Sequence, residues 1–296
     1  MMKDILKNYN TKIDTDLVDK RVRDITTNIT ALYDVENLKI IFSCIDLTTL
    51  NTEDSTEKGE LFADNVSNFK SKFPDMPNVA AICVYPTLVS SVKNKLTAAG
   101  VNIASVVGGF PSSQTFLDIK VAETKKAIEL GANEADMVIS VGTFLSGDYQ
   151  TIFNEVKELK KAVGDAHLKV ILETGALKNF SNIKIASAIS IEAGADFIKT
   201  STGKLDPPAT LNAVYVMCEA IKEYYDRTGI KIGLKPAGGI STADTALKYY
   251  AIVNEVLGKE WLNSKLFRIG ASSLANNILT TIKRMTTEQH LGVKYF

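Results

Sequence analysis

Eight short apolar runs, each followed by an amphipathic or polar segment, set the strongest limit on how this chain can fold. The runs fall at 39–45, 79–84, 103–107, 134–140, 168–173, 196–200, 231–235 and 266–269. Helical segments are read between and after them, at 55–72, 88–99, 114–130, 148–163, 182–193, 209–225, 242–257 and from 270 to 283. Glycine stands at or near the ends of these segments, at Gly100, Gly131, Gly164, Gly194, Gly229 and Gly258, where a helix commonly stops in a left-handed turn. Strands that alternate with helices call for a parallel sheet joined by right-handed crossovers. Eight such units in about 250 residues are the size of a (β/α)8 TIM barrel. A doubly wound open sheet is the alternative. No GxGxxG follows the first run, which removes support for a dinucleotide-binding version of it. Residues 1–37 lack the pattern and are read as an N-terminal helical extension, with a helix over 14–33 and a stripe of Leu17, Arg21, Asp24, Ile25 and Ile29. Residues 38–296 then form one barrel domain that includes a C-terminal tail.

Charge and cysteine usage narrow the function classes. Lys plus Arg and Asp plus Glu both number 34, so no global field recruits nucleic acid or an anionic membrane. No apolar run is long enough for a membrane span, and the N-terminus has no secretory h-region. Cys44, Cys83 and Cys218 are far apart and odd in number, which fits reduced thiols and a cytoplasmic setting. His167 and His290 are the two histidines; both are read as structural, which argues against a histidine-rich zinc site or a histidine-based triad.

In a barrel the active site lies at the C-terminal strand ends. Asp46, Asp136, Lys169, Glu173, Lys199 and Lys235 fall there or just below. Strand side chains alternate faces. If these groups point inward they share one desolvated space, which is costly unless they pair. Lys199 is the leading candidate nucleophile: burial and a neighbouring lysine lower the pKa of an amine, and a neutral amine attacks carbonyls. A carboxylate beside it would move protons. The competing reading places each charge on an outward face or on the rim. A second constellation is suited to anions. Gly203-Lys204, Gly238-Gly239 and Gly270-Ala271-Ser272-Ser273 follow the sixth, seventh and eighth runs, where backbone N–H groups and a helix N-terminus can approach a phosphate. Each glycine taken alone is equally a turn former.

The chain resembles the deoxyribose-phosphate aldolase family of class I aldolases from about residue 39 to 283. The resemblance is carried by Ile45-Asp46-Leu47-Thr48-Thr49-Leu50, Ala80-Ala81-Ile82-Cys83-Val84-Tyr85-Pro86, Leu168-Lys169-Val170-Ile171-Leu172-Glu173-Thr174-Gly175, Asp196-Phe197-Ile198-Lys199-Thr200-Ser201-Thr202-Gly203-Lys204, Gly233-Leu234-Lys235-Pro236-Ala237-Gly238-Gly239 and Phe267-Arg268-Ile269-Gly270-Ala271-Ser272-Ser273-Leu274. It implies reversible cleavage of 2-deoxy-D-ribose 5-phosphate to D-glyceraldehyde 3-phosphate and acetaldehyde, without metal or cofactor. It implies that Lys199 forms the Schiff base, Lys235 lowers its pKa and takes part in proton relay, and Asp136 is the acid/base partner. Lys169 and Asp46 belong to the same polar cluster, Thr202 to the substrate-facing turn. Gly203, Lys204, Gly238, Gly239, Ser272 and Ser273 match the phosphate loops. The expected partners are a phosphorylated sugar and an aldehyde, with no nucleic acid and no membrane; a homodimer is allowed but read from no residue. Two positions depart from the family pattern. Ser241 stands where many members carry arginine. Tyr295 is the candidate for a C-terminal tyrosine that in some members enters the site. Cys83 is read as a buried structural thiol, with reactivity toward aldehydes as the alternative. Rival readings are a Schiff-base lyase for another sugar phosphate and a catalytically silent sugar-phosphate-binding barrel.

Overall fold

The computed structural model describes residues 2–287 and 292–296; His290 lies outside them. Three helices precede the barrel: α1 (Met2–Leu6), α2 (Thr15–Thr26) and α3 (Val35–Ser43). The barrel then runs β1 (Ile45–Thr48), α4 (Thr56–Lys72), β2 (Ala81–Val84), α5 (Val89–Lys95), β3 (Asn102–Val107), α6 (Leu117–Glu129), β4 (Glu134–Val138), α7 (Val141–Leu145), α8 (Tyr149–Val163), β5 (His167–Ile171), α9 (Phe180–Glu192), β6 (Phe197–Lys199), α10 (Leu211–Thr228), β7 (Gly233–Lys235), α11 (Ala243–Leu257), β8 (Ile269–Ala271) and α12 (Leu274–Thr286). The side chains of Ser55, Asp148, Asn179, Thr210 and Thr242 accept the backbone N–H three residues on and so start α4, α8, α9, α10 and α11, each satisfying one otherwise orphaned donor.

The eight strands are parallel in the order β7-β6-β5-β4-β3-β2-β1-β8. Single parallel bridges, Leu234 with Phe267 and Ala237 with Gly270, close β7 onto β8. The expected barrel is therefore present. Alternation divides its side chains into two populations. Leu47, Ile82, Ile103, Met137, Val170, Ile198 and Leu234 pack outward in the large core beneath the helices. The other parity points inward and divides again. On the β2–β3 side it is apolar, with Ala81, Cys83, Ala104 and Val106 packed with Leu50; on the remaining strands it carries the charged residues, in register with Val138, Ile171, Phe197, Gly233 and Gly270.

The element boundaries differ from expectation at several ends, and a short helix, α7, was not expected; three of the differences have a plain cause. Residues 39–43 belong to α3, and the first strand begins only at Ile45. The cause is periodicity: Leu38, Ile41 and Phe42, all fully buried, repeat at helical spacing, and Asp34 caps the helix by accepting from the Asn37 N–H at 2.8 Å. The N-terminal helix stops at Thr26 rather than 33. Thr26 and Thr27 bond back to the carbonyls of Val22 and Arg23, a bonding pattern that slightly destabilises helices. Its buried stripe is Val18 and Val22, while Leu17 is exposed. The last strand starts at Ile269, because residues 266–268 meet β7 only at the seam.

Candidate active site

Register brings the ionisable residues onto one surface. Asp136 on β4 pairs with Lys169 on β5, and Lys199 on β6 pairs with Lys235 on β7. Residues paired in register face the same side of a sheet. All four therefore turn into the barrel, joined by Asp46 from β1. The Asp136 carboxylate is shared: Oδ2 accepts from Nζ of Lys199 and from Nζ of Lys235, both at 2.8 Å, and Oδ1 accepts from Lys169 at 2.9 Å. Asp46 Oδ2 lies 2.5 Å from Lys235 Nζ and 3.6 Å from Lys169 Nζ. Asp46, Asp136, Lys169 and Lys235 are fully buried; Lys199 keeps 3% of its surface exposed, which makes it the lysine of the cluster that opens to the mouth.

Two further charges, Glu134 and Arg268, belong to this network and were not singled out from sequence. The Arg268 guanidinium grips Glu134 through two bonds, at 2.7 and 3.1 Å, and donates to Asp46 at 2.6 Å. Glu134 Oε2 is 2.5 Å from Lys169 Nζ. The signal was available. Glu134 precedes Asp136 by two residues and so shares its face, and Arg268 is a lone charge between Phe267 and Ile269.

Four cations (Lys169, Lys199, Lys235, Arg268) thus meet three carboxylates (Asp46, Glu134, Asp136) in a dry interior. The excess cation settles on Lys199. Burial lowers its pKa, Asp136 offsets part of that, and the Lys235 charge lowers it again. Burial opposes the Lys235 ammonium too, but Asp136 and then Asp46 outweigh it and push its pKa up. Lys169 is likewise raised, burial being overcome by Asp136 and Glu134. Burial resists the Asp136 carboxylate, yet Lys169, Lys199 and Lys235 hold it well below the usual carboxylate range. The arrangement is one amine of lowered pKa beside a carboxylate and an ammonium that are held charged, which suits a nucleophile with a proton relay.

Above Lys199 lies a cavity of about 350 Å³, lined by Lys199 and by the turns after β6, β7 and β8. Every anion-site candidate borders it: Thr202, Gly203, Lys204, Gly238, Gly239, Ser272 and Ser273, with Ser241 alongside. Gly238 has a φ of +89°, and a Cβ there would meet Pro208 at 2.9 Å, so a side chain would both strain the turn and crowd its neighbour. Ser273 is the residue before the first turn of α12 and its side chain makes no capping bond there. Glu173, in left-handed conformation after β5, does not reach the lysines. Its carboxylate accepts from the Thr202 N–H and hydroxyl instead and so ties the β5 and β6 loops together. Cys83 is fully buried in β2 and burial pushes its thiol up, which keeps it protonated and a poor nucleophile.

Tyr295 lies away from this mouth. Its hydroxyl donates to the Asn65 carbonyl at 2.8 Å, and its ring packs 5.5 Å from both Phe69 and Phe73. Those residues sit in and just past the second half of α4, which starts at the mouth and runs back about 20 Å to reach them. Tyr295→Phe should therefore leave kcat unchanged and cost only about 1 kcal/mol of stability; steady-state kinetics and thermal unfolding measure the two separately, and a large fall in kcat would contradict this placement.

Comparison with known proteins agrees with the geometry. The model of the DeoC/LacD family aldolases matches residues 40–277. The chain belongs to that family. A Caenorhabditis elegans protein is 48% identical over 248 residues, 82% of this chain and 81% of that protein. The deoxyribose-phosphate aldolase of Homo sapiens is 41% identical over 261 residues, 83% of this chain and 80% of that protein. Among solved structures, the aldolase QR15 is 30% identical with a TM-score of 0.67, over 83% of this chain and 97% of its own. The tetrameric deoxyribose phosphate aldolase from Aeropyrum pernix is 26% identical with a TM-score of 0.67, over 89% of this chain and 99% of its own. Among the described residues, no helix is long and apolar enough to cross a membrane.

Proposed function

We propose that this member of the aldolase family is a class I deoxyribose-phosphate aldolase, reversibly cleaving 2-deoxy-D-ribose 5-phosphate to D-glyceraldehyde 3-phosphate and acetaldehyde in deoxyribose-phosphate catabolism. The observation that carries the reading is Lys199, a buried amine of lowered pKa that shares Asp136 with Lys235 and opens into a glycine- and serine-lined cavity. The sugar phosphate would enter with its phosphate against the turns of Gly203-Lys204, Gly238-Gly239 and Ser272-Ser273, at the N-terminus of α12. Ser241 offers a hydroxyl there in place of a guanidinium.

In the cleavage direction the Lys199 amine adds to the C1 carbonyl of the open-chain sugar. Loss of water gives an iminium. Removal of the C3 hydroxyl proton breaks the C2–C3 bond, whose electron pair flows into the iminium and leaves an enamine as glyceraldehyde 3-phosphate departs. Protonation of the enamine at C2 returns an iminium, which water hydrolyses to acetaldehyde and free Lys199. Asp136, through a water and beside the Lys235 ammonium, carries the protons. A homodimer and a cytoplasmic setting belong to the same reading.

Reduction with borohydride in the presence of acetaldehyde should leave N-ethyl-lysine at position 199, read by peptide mass mapping. An unmodified Lys199 would sink the Schiff-base mechanism. Acetaldehyde as the trapped donor also separates this reading from a lyase for another sugar phosphate. A silent binding barrel is disfavoured by the cost of keeping so many charges out of water.

A further inference from the structure

We propose that Glu134 and Arg268 are positioning residues for the reaction: from one level deeper in the barrel they hold Lys169 and Asp46, and through them the Asp136 carboxylate that Lys199 and Lys235 share. This rests on the reading of Lys199 as the nucleophile and adds to it a charge-setting layer that never touches substrate. Neither residue lines the cavity. Both are buried, Glu134 fully and Arg268 to all but 3%.

The geometry is that of a clamp. Arg268 is fixed on both sides: its Nε donates to the Ser264 carbonyl, and its guanidinium lies 5.6 Å from the centroid of the Phe197 ring. That ring lies where a side chain on β7 would be, since a Cβ on Gly233 would come within 2.2 Å of it. Glu134 is fixed in turn by Asn102, whose Nδ2 donates to Oε1 at 2.6 Å. Lys169 Nζ then sits between Glu134 Oε2 at 2.5 Å and Asp136 Oδ1 at 2.9 Å. Asp46 spans Arg268 at 2.6 Å and Lys235 at 2.5 Å. Each carboxylate of the upper layer is therefore held by a cation that the lower layer holds.

Stability alone does not explain such a layer. Buried ion groups are often no better than apolar packing of the same volume, and the β2–β3 side of the same interior is filled with apolar side chains. Charge balance does explain it. The groups facing Lys199 are Asp136 from β4, Lys235 from β7, Lys169 from β5 and Cys83 from β2, with Asp46 on β1 and the Glu134–Arg268 pair below; Glu134 itself is faced in addition by His167 at the start of β5, whose Nδ1 lies 4.0 Å from Oε1. With one cation in excess, the amine nearest the mouth, Lys199, is the one whose pKa is lowered. Loss of the Glu134 charge leaves two cations in excess; loss of the Arg268 charge leaves none.

The test is the rate of acetaldehyde trapping on Lys199, by reductive alkylation with cyanoborohydride, measured from acid to alkaline pH. Glu134→Gln should move the inflection to lower pH and Arg268→Gln to higher pH, each by somewhat under about two units for a charge about 7 Å deeper at an effective dielectric near 20. The charge-balanced double variant should return it to the wild-type position, and Glu134→Asp should hold it there. A purely structural role predicts lower melting temperatures with an unmoved inflection. That outcome, or shifts of the two single variants in the same direction, would overturn the proposal. If Arg268→Gln does not fold, the downward shift of Glu134→Gln and its absence in Glu134→Asp decide the matter. Failure of the underlying reading looks different: wild-type Lys199 would take no adduct at any pH.

Discussion

Replacing Lys199 with methionine should abolish turnover while leaving the fold as stable as before, or slightly more so. The loss in kcat is expected to be at least on the order of 10⁴-fold, since no other group can supply the covalent intermediate. Most losses of a buried ionisable group destabilise, so the second half of this expectation is the more diagnostic. Lys199 is the one lysine of the cluster whose pKa is lowered. In the native state its amine is the group closest to neutral, and Asp136 retains Lys169 and Lys235 as partners without it. Methionine has nearly the same length and no desolvation cost. Kinetics with 2-deoxyribose 5-phosphate and thermal unfolding of the same preparation check both halves. Substantial residual turnover would remove Lys199 as the nucleophile. A large drop in melting temperature would mean that its charge, not its reactivity, is what the barrel requires.

Asp136→Asn should show the opposite combination, losing both activity and stability. The carboxylate bridges three lysine amino groups, two of them held charged, and the amide leaves these without their counter-charge in a dry interior. Breaking a buried pair in this way costs about 3–5 kcal/mol, which for a chain of this size lowers the melting temperature by roughly 10 °C. Turnover should fall with it because proton transfer loses its carrier. The pH dependence has a definite sign. Asp136 is held below its ordinary value of 3.8. Its contribution to stability is therefore present above that value and lost as pH falls through the lower folded one. Unfolding followed from neutral to acid pH should show the gap between wild type and variant closing toward low pH. A gap that stays constant would mean the loss arises from packing.

Much of the candidate site was legible because strand parity is a local property. Asp136, Lys169, Lys199 and Lys235 are each placed at the mouth end of a strand by the apolar run around them, and the register puts all four on one face. The glycine turns were legible for the same reason, as breaks after runs six, seven and eight. The first strand was not. Ile40, Ile41 and Phe42 read as the apolar centre of a strand, and only the burial of Leu38, Ile41 and Phe42 against the outer helices decides for α3. Glu134 and Arg268 were passed over because their meaning is relational: each is an ordinary strand charge until the barrel closes and brings residues 134 apart in sequence to within 2.7 Å. Tyr295 was placed by resemblance alone. The aromatic residues of α4 offered its ring a site that the tail could reach without crossing the mouth.

The amino-acid order by itself determined the repeating β/α unit, the parallel barrel and which lysines share the inward face of its strands, because hydrophobic period and strand alternation act over a few residues. Only the tertiary structure decided which amine has its pKa lowered. That property depends on a count of charges drawn from β1, β4, β5, β6, β7 and the residue before β8, and on their exclusion from water, and neither exists until the strands close around them.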